Sequence, residues 1–563
     1  MALTDSIRWL WPYLRRRRSA ILAVMLLAAA TSALATAQPY LTKVVIDQGL
    51  IGRHFHVLLE ACLAIVAIAA AGFSFGAVNR WLYLRLSGGV LFELREDIYA
   101  HLLRLSPRFF RARSVGDLVN RLDGDVGEIQ RFSVDSLLAF VNAVLLLVFA
   151  LAVMVAMSPL LTLIAVGMVP LHFLVRHASR RYVADSTREV RESRGIVTQF
   201  LVETLGAVKW VQSAVAERWE RQRLNTLNRG LLRRLVRQQL VGYAVGTLSS
   251  LLSHLTTALV FIIGGWQVIH GRLTVGTLVA FTAYMMRGTG SATSLLGLYT
   301  AYQRANVSLV RVRELLTEQP PVRTEAGQGC RLAPGVPAHL RVRDVQFRHP
   351  DGISAVLAGV SFEIAAGSKV VLCGESGAGK STVVDLLRGF LAPDGGEIEI
   401  DGRPLGEYEL DSVRRRIAVL ESDPMLFRGS VLENLRYGNF EATLEQVHAS
   451  ARQTGLEAIV ARLPQGLDTE LGARGAGLST GERQRLAVAR VLLGAPAVLV
   501  LDEATSNLDA VAVRAMHELI DRHLRACTRI IITHSPGLVP NVERILELRE
   551  GRVREQRLTA AYA

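Results

Sequence analysis

The clearest candidates for chemistry form a glycine-rich run that begins at Gly374 and ends at Thr382. The run reads glycine, four variable residues, glycine, lysine and a hydroxyl residue. Backbone N–H groups of such a loop cradle phosphate oxygens, the lysine contacts the outer phosphates, and the hydroxyl ligates Mg²⁺. The members are Gly374, Glu375, Ser376, Gly377, Ala378, Gly379, Lys380, Ser381 and Thr382. This pattern, which follows the apolar strand candidate Lys369–Cys373, predicts a loop that binds a phosphate chain.

Acidic and imidazole side chains follow two further apolar strand candidates. Asp502 and Glu503 come directly after residues 497–501, and His534 comes directly after residues 529–533. Because ligands of α/β sheets bind at the carboxyl ends of the strands, we expect these side chains to meet near the phosphate loop. Asp502 would hold Mg²⁺, Glu503 would polarise an attacking water, and His534 would contact the terminal phosphate.

A second helix start suited to an anion lies at Ser479, within the run Leu478–Arg485. Serine is a good N-cap, and the free N–H groups of a helix start attract negative charge. One phosphate chain does not obviously need two such sites in one domain.

The first 300 residues are of a different kind, because long apolar runs without charge recur along them. About 20 residues are needed to cross a hydrocarbon core. We predict six spans, at about 19–40, 57–78, 136–157, 160–176, 240–269 and 273–301. The polar stretches 80–135 and 176–237 keep helical periodicity and are interpreted as helices that project into the cytoplasm, with ordinary loops as the alternative.

The first apolar run has a second interpretation. Arg15–Arg18, an apolar stretch and Ala35-Thr36-Ala37 imitate a cleaved secretory signal. Cleavage would leave five spans and place the two ends of the chain on opposite sides of the membrane. Retention agrees better with a C-terminal half that needs cytoplasmic nucleotide.

The net charge of +14 invites a nucleic-acid interpretation, so its location matters. Residues 1–320 hold 35 Lys/Arg and 19 Asp/Glu, whereas the remainder holds 29 and 31. The basic excess therefore lies in the hydrophobic half and falls in the predicted cytoplasmic parts, which is the positive-inside pattern. It predicts an inner-membrane protein with both termini in the cytoplasm and no nucleic-acid partner.

Arg287 is unusual because it falls within the predicted sixth span. Charge inside a membrane is costly and tends to face a cavity or a partner. With His254, it is a candidate for the substrate cavity, where it would contact an anionic group. The alternatives are snorkelling or a structural hydrogen bond to the backbone or to His254.

The ordered set of motifs resembles the ATPase of ABC transporters. Walker A corresponds to Gly374–Thr382, Walker B to Val498–Glu503, the LSGGQ signature to Leu478–Glu482, the D-loop to Ser506–Asp509, and the switch histidine to His534. The segment Thr469–Gly472 and the residues Gly116, Asp117, Leu118, Arg121, Asp125, Glu203 and Lys209 are similar to further patterns of exporters in that family. With six spans ahead of the ATPase, the chain resembles a half-size exporter of the lipid and multidrug flippase kind.

The resemblance implies a fold class: an N-terminal all-α six-helix transmembrane domain with long cytoplasmic helical extensions, and a C-terminal α/β P-loop ATPase domain. We place these domains at 1–318 and 339–563, with a linker at 319–338. It also implies ATP and Mg²⁺ as cofactors, contact with membrane lipids and a dimer, most simply a homodimer. In such a dimer the signature of one protomer closes over ATP held by the other, with Ser479, Thr480, Gly481, Glu482 and Asp509 as contacts across the interface.

Three positions depart from the family pattern. Ser422 stands where the Q-loop glutamine is expected, and His349 stands where a tyrosine stacks on adenine. The signature reads LSTGE, so Thr480 replaces a glycine and Glu482 brings a negative charge near the phosphate. Glu503 and His534 are intact, so we expect hydrolysis with altered coupling or affinity.

These observations predict ATP-driven export or flipping of an amphipathic or hydrophobic solute, such as a lipid, peptide or drug-like compound, across a bacterial-type inner membrane. Three alternatives remain open: a siderophore-type importer on the same scaffold, one subunit of a heterodimer with an altered ATP site, and an ATP-gated channel or regulatory subunit.

Overall fold

The computed structural model describes residues 11–319, 329–349, 354–505 and 510–556. The chain divides into two compact units. The helical unit comprises the chain up to residue 100 together with 116–316, and the sheet unit comprises 101–115 together with the chain from 317 onward.

Long helices build the helical unit. They are Arg18–Val44, Phe55–Leu102, Leu137–Met157, Val169–Gly206, Glu217–Ile269 and Val275–Thr317. Shorter helices of this unit are Val115–Asn120, Val126–Gln130, Pro159–Gly167 and Val208–Ser213, and π-helical turns are Val45–Ile51, Arg121–Asp125 and Arg131–Ser136. The short helix Pro107–Arg111 lies in the 101–115 segment of the sheet unit.

Five helical stretches of the described chain are long and apolar enough to cross a membrane. They are Arg18–Ile51, Phe55–Leu102, Val115–Met157, Pro159–Gly206 and Glu217–Ile269. The helix Val275–Thr317 has 43 residues but is not one of these five. The span predicted at 273–301 therefore stays a prediction.

The longest of these helices greatly exceed the thickness of a bilayer. Glu217–Ile269 has 53 residues, which corresponds to about 80 Å at 1.5 Å per residue, against a hydrocarbon core of roughly 30 Å. Its polar half pairs with Val169–Gly206, since Arg237 contacts Glu189 at 3.3 Å. Most of the polar stretch 176–237 is thus regular helix.

Polar side chains define two helix ends in the helical unit. Ser158 has an extended backbone conformation and separates two apolar helices. Its hydroxyl accepts a bond from the backbone N–H of Leu161. Asp47 lies far away in sequence but accepts 2.8 Å and 2.5 Å bonds from Gly276 N–H and the Thr274 hydroxyl. The first turn of Val275–Thr317 is thereby capped by a carboxylate, which satisfies free N–H groups of that helix start.

The sheet unit contains twelve strands in its described part. They are β1 Leu340–Phe347, β2 Leu357–Ile364, β3 Lys369–Gly374, β4 Gly395–Ile400, β5 Arg403–Pro404, β6 Ile417–Glu421, β7 Gly429–Ser430, β8 Glu470–Leu471, β9 Val498–Asp502, β10 Thr528–Ile532, β11 Arg544–Arg549 and β12 Arg552–Gln556. The accompanying helices are Lys380–Leu387, Leu410–Arg416, Val431–Arg436, Leu444–Gln453, Glu457–Val460, Thr480–Gly494 and Ala510–His523.

The strands form a six-stranded sheet in the order β12-β11-β3-β10-β9-β6, a four-stranded sheet in the order β2-β1-β4-β5 and the pair β7-β8. From β11 to β6 the large sheet is parallel. Its central strands β9 and β10 are buried along nearly their whole length, as expected for a parallel sheet covered on both faces. The helical first unit and the α/β second unit agree with the predicted fold class.

Candidate functional site

The glycine-rich loop connects the buried central strand β3 to the helix Lys380–Leu387. The ammonium of Lys380 donates 2.9 Å bonds to the carbonyl oxygens of Gly374 and Glu375. Glu375, Ser376 and Gly377 are exposed at the tip of the loop. The loop thus folds around its own lysine and leaves its tip free for a ligand.

Two glycines of this loop are required by its geometry. Gly379 has a φ of +102°, and a Cβ there would lie 2.8 Å from a methyl carbon of Val356. Gly374 has a φ of +152°, and a Cβ there would lie 2.3 Å from the carbonyl oxygen of Leu548. Any other residue would be strained at either position.

The parallel strands bring the predicted chemical groups to one edge of the sheet. Asp502 is in register with Ile532 on one side and with Glu421 on the other. Leu372, two residues before the loop, is in register with Ile532. Consequently the phosphate loop, Asp502 and the residues that follow β10 lie at the same strand ends.

Glu503 and His534 are in direct contact at this edge. Nε2 of His534 lies 2.8 Å from a carboxylate oxygen of Glu503. Glu503 has a φ of +48°, and its N–H donates a 3.0 Å bond to the carbonyl oxygen of Ile532. This left-handed conformation is uncommon for a glutamate, and it fixes the carboxylate beside the end of β10.

The acidic environment of Asp502 suits a divalent cation. Burial raises the pKa of Asp502, and the negative charges of Glu503, Glu421 and Asp385 raise it further, while Lys380 opposes them. Bound Mg²⁺ would relieve this repulsion, and carboxylate and hydroxyl oxygens are ligands that it prefers. The side chains of Asp502 and Ser381 therefore fit the predicted metal role.

The helix start predicted at Ser479 is present in the structure. Ser479 caps the helix Thr480–Gly494, and Ser479, Thr480 and Gly481 are exposed. From the same helix, buried Gln484 donates bonds to the carbonyl oxygens of Ala504 at 3.0 Å and Ser422 at 3.4 Å. Gln484 thus connects the signature helix to the residue after Glu503 and to the Q-loop position.

The three departures from the family pattern have defined places. Ser422 directly follows β6, and its half-buried position lies next to the register partner of Asp502. His349 follows β1 and packs edge-on against Phe347, with ring centroids 5.0 Å apart. The carboxylate of Glu482 accepts a 2.8 Å bond from the backbone N–H of Ser479. Asp509 lies outside the described residues.

Two contacts of the sheet unit were not indicated by the sequence. Arg462 forms a 3.1 Å ion pair with Glu482, and Arg111 forms a 2.9 Å ion pair with Asp385. Neither arginine belongs to a recognisable pattern, and 20 and 274 residues separate the partners. No local signal of the sequence identifies such pairs.

The loop residues singled out between the second and third spans connect to the last long helix within the helical unit. Arg121 contacts Asp117 at 2.9 Å and the carbonyl oxygen of Arg311 at 3.1 Å. Buried Asp125 accepts a 2.7 Å bond from Ser308. This polar set ties the start of the third helical stretch to the end of Val275–Thr317.

A cavity of about 600 Å³ lies in the helical unit. Its lining includes Met154, His172, Ser249, Ser253, His254, Thr257, Met285 and Met286. His254 lines this cavity, whereas Arg287 is not among its lining residues. The assignment of His254 to a substrate site stays a prediction. Arg287 instead donates to the carbonyl oxygen of Ala35 and, at 2.9 Å, to the Gln38 side chain. The structural hydrogen bond considered as an alternative is present.

Comparisons with known proteins agree with this geometry. Residues 21–291 match the family model of the ABC transporter transmembrane region, and residues 357–506 match the family model described as ABC transporter. A cyclolysin secretion/processing ATP-binding protein of Bordetella pertussis is 32% identical, over 97% of this chain and 76% of that protein. An ATP-dependent lipid A-core flippase of Chromobacterium violaceum is 28% identical, over 98% of this chain and 95% of that protein.

A solved structure of a bacterial Atm1-family ABC exporter with ATP bound has the same fold. It matches with a TM-score of 0.79 and 27% sequence identity, over 96% of this chain and 95% of that chain. The two family models and this neighbour confirm the resemblance inferred from the ordered motifs.

Proposed function

The chain belongs to the ABC transporter family, and we propose that it exports or flips an amphipathic or hydrophobic solute. It is an integral membrane protein that couples an ATPase to transport. It works in an inner membrane with both termini in the cytoplasm. Its relatives include exporters of different cargoes, so they support the direction of transport more than the nature of the solute.

The observation that carries the catalytic part is the 2.8 Å contact between Glu503 and His534. A carboxylate positioned by an imidazole can orient and polarise a water next to the terminal phosphate of ATP. Lys380 and the loop N–H groups would hold the phosphate chain, while Asp502 and Ser381 would hold Mg²⁺. The metal would neutralise charge that develops on the phosphate oxygens.

The exposed helix start at Ser479 supports a dimer. In one chain the phosphate loop already provides a complete cradle for a phosphate chain. A second helix N-terminus with free N–H groups is then explained if it closes over ATP that a partner protomer holds. A homodimer needs no further component, and a heterodimer remains the alternative because Ser422 and Thr480 depart from the pattern.

The cavity in the helical unit supports an amphipathic solute. Its wall combines thioethers, such as Met154 and Met285, with hydroxyls. Ser253 and Thr257 donate their hydrogens to backbone carbonyls one turn earlier. These hydroxyls therefore offer a ligand only acceptor lone pairs, which suits a solute with a largely apolar body and a few donor groups.

The test is Glu503→Gln in the full-length protein, reconstituted in nanodiscs. We expect ATP to stay bound while the steady-state ATPase rate falls by about 100-fold or more, because the general base is lost. Glu518→Gln, on the exposed side of the helix Ala510–His523, is the matched control and should keep the wild-type rate.

Near-normal ATPase in Glu503→Gln would refute the assignment. Transport direction is measured separately with inverted vesicles that contain the wild-type protein. ATP-dependent uptake of lipid analogues or dyes into these vesicles supports export, whereas ATP-dependent release would favour the importer alternative.

A further inference from the structure

The signature loop of this chain closes with an acidic capping box. One carboxylate oxygen of Glu482 accepts bonds from the N–H of Ser479 at 2.8 Å and from its hydroxyl at 2.9 Å. The Ser479 oxygen in turn accepts a 3.4 Å bond from the N–H of Glu482. The residue that carries the unexpected negative charge is therefore part of the helix cap itself.

Other caps in the sheet unit show that the charge is not needed for this geometry. Thr443 and Gln446 form the same reciprocal box at the start of Leu444–Gln453, with a neutral amide in place of the carboxylate. Ser430 and Glu433 form a third box. A glutamine at position 482 would thus preserve the cap, so the negative charge needs a separate explanation.

Arg462 occupies the other carboxylate oxygen of Glu482. Its guanidinium lies 3.1 Å from that oxygen, and its own side chain remains 69% exposed. The bonds from Ser479 and the positive charges of Arg462 and Arg485 lower the pKa of Glu482. The carboxylate is thus ionised and held by Ser479 on one oxygen and by Arg462 on the other.

A free carboxylate at this place would oppose phosphate binding. Ser479, Thr480 and Gly481 form the exposed helix start, and Glu482 lies on the same turn. A unit negative charge within one helical turn of a phosphate chain repels it by an amount comparable to the attraction of the helix dipole. An adjacent guanidinium cancels that charge and holds the carboxylate to one side.

We propose that Arg462 is a positioning residue of the ATP site, which holds and neutralises Glu482 so that the helix start at Ser479 stays attractive to phosphate. This inference rests on the proposed function, because the phosphate that meets Ser479 belongs to ATP on a partner protomer. Arg462 acts through Glu482 and contacts no reacting atom.

The test measures kcat and KM for ATP in the full-length protein in nanodiscs. Arg462→Ala should raise KM roughly tenfold, since it exposes one charge to the phosphates, with kcat changed by less than about twofold. Arg462→Lys keeps the positive charge but not the geometry of the guanidinium. Its KM for ATP should therefore lie between those of the wild type and Arg462→Ala. Glu482→Gln should lower KM below the wild-type value because the cap is kept without the charge.

The decisive variant is Arg462→Ala combined with Glu482→Gln. The effect of losing Arg462 should then vanish, with KM within about twofold of Glu482→Gln alone. Arg452→Ala removes an exposed arginine from the neighbouring helix Leu444–Gln453 and should keep the wild-type KM.

The outcomes separate this inference from the proposed function. A wild-type protein that hydrolyses ATP, with equal KM in Arg462→Ala and Arg452→Ala, would overturn the role of Arg462 alone. A KM increase that persists in the Glu482→Gln background would also overturn it, because the effect would not act through the carboxylate. If Arg462→Ala does not fold, Arg462→Lys and Glu482→Gln still decide the question. A wild-type protein without ATPase activity would contradict the proposed function.

Discussion

His534 and His517 lie in the same unit in opposite surroundings. The His534 side chain is 51% exposed and contacts Glu503, whereas His517 is 1% exposed and its Nδ1 has no hydrogen-bond partner among the described residues. Burial, together with the positive charge of Lys369, lowers the pKa of His517 to about 4. His517 is therefore held neutral inside the fold, while His534 remains available for chemistry.

The depressed pKa of His517 predicts a loss of stability in acid. The unfolded histidine has a pKa of about 6.5, so between pH 6.5 and 4 the unfolded chain binds the proton that the folded chain excludes. Stability that is present above pH 6.5 is thus lost as the pH falls through this window. Between pH 7 and pH 5 the free energy of opening should fall by about 1–2 kcal/mol. This free energy of opening is measured by hydrogen exchange of the β10 backbone amides in the full-length protein at the two pH values.

Replacing the buried imidazole isolates its contribution to that pH dependence. His517→Leu removes the titrating group, so the loss of opening free energy between pH 7 and pH 5 should shrink. His448→Gln, at an exposed position of the helix Leu444–Gln453, should leave the loss unchanged. A pH profile of His517→Leu identical to that of the wild type would contradict the assignment.

The short helix Pro107–Arg111 belongs to the sheet unit, although it follows a long helix of the helical unit in the chain. It lies in the 101–115 segment, which the chain reaches directly from the long helix Phe55–Leu102 and which packs with the sheet unit. Arg111 pairs with Asp385 on the helix that begins at Lys380. Within the sheet unit, Arg111 thus contacts the helix that follows the phosphate loop.

Loss of this contact should uncouple hydrolysis from the membrane more than it destabilises the fold. The pair is partly exposed, so Arg111→Ala should cost less than about 1 kcal/mol of stability. We expect the basal ATPase rate of Arg111→Ala in detergent to stay within about twofold of wild type, because an exposed ion pair contributes little energy. The stimulation on transfer into nanodiscs of phosphatidylethanolamine and phosphatidylglycerol should be lost.

Arg104→Ala, an exposed arginine just before this helix, is the matched control and should keep the lipid stimulation. Full lipid stimulation in Arg111→Ala would show that the ion pair does not transmit changes between the lipid-facing helices and the phosphate loop.

The proposed dimer predicts complementation between two inactive variants. Lys380→Ala removes the lysine that contacts the phosphates, and Ser479→Ala removes the cap at the opposing helix start. Each variant alone should hydrolyse ATP poorly, because both of its composite sites are damaged. In a mixed dimer, one composite site carries both substitutions and the other carries neither. One intact site is therefore regained.

Co-expression with two different affinity tags gives the mixed dimer for ATPase measurement. Activity clearly above either parent supports composite sites within a homodimer. Activity no higher than the parents would contradict it, and a wild-type chain that hydrolyses ATP only with a second protein would favour the heterodimer.

Features that consecutive residues carry can be predicted from the amino-acid sequence alone. The phosphate loop is readable because its ligand contacts are backbone groups of one short run, set by the glycines and by Lys380. The apolar runs and the division of charge at Pro320 are likewise local properties, which is why the membrane half followed from them. The fold class of the whole chain followed from the resemblance of the ordered motifs. The strand ends at Asp502 and His534 were predictable because parallel strands share an edge.

Contacts between side chains that are distant in the sequence became visible only in the folded chain. Arg287 looked like a free cation within a span, yet it binds Ala35 and Gln38, some 250 residues earlier. Glu482 looked like a charge facing phosphate, yet Ser479 and Arg462 hold it. The roles of both residues depend on partners brought together by packing, and neither composition nor spacing encodes that proximity. A charge has a fixed position in the sequence, but its energy is set by the groups that surround it in the fold.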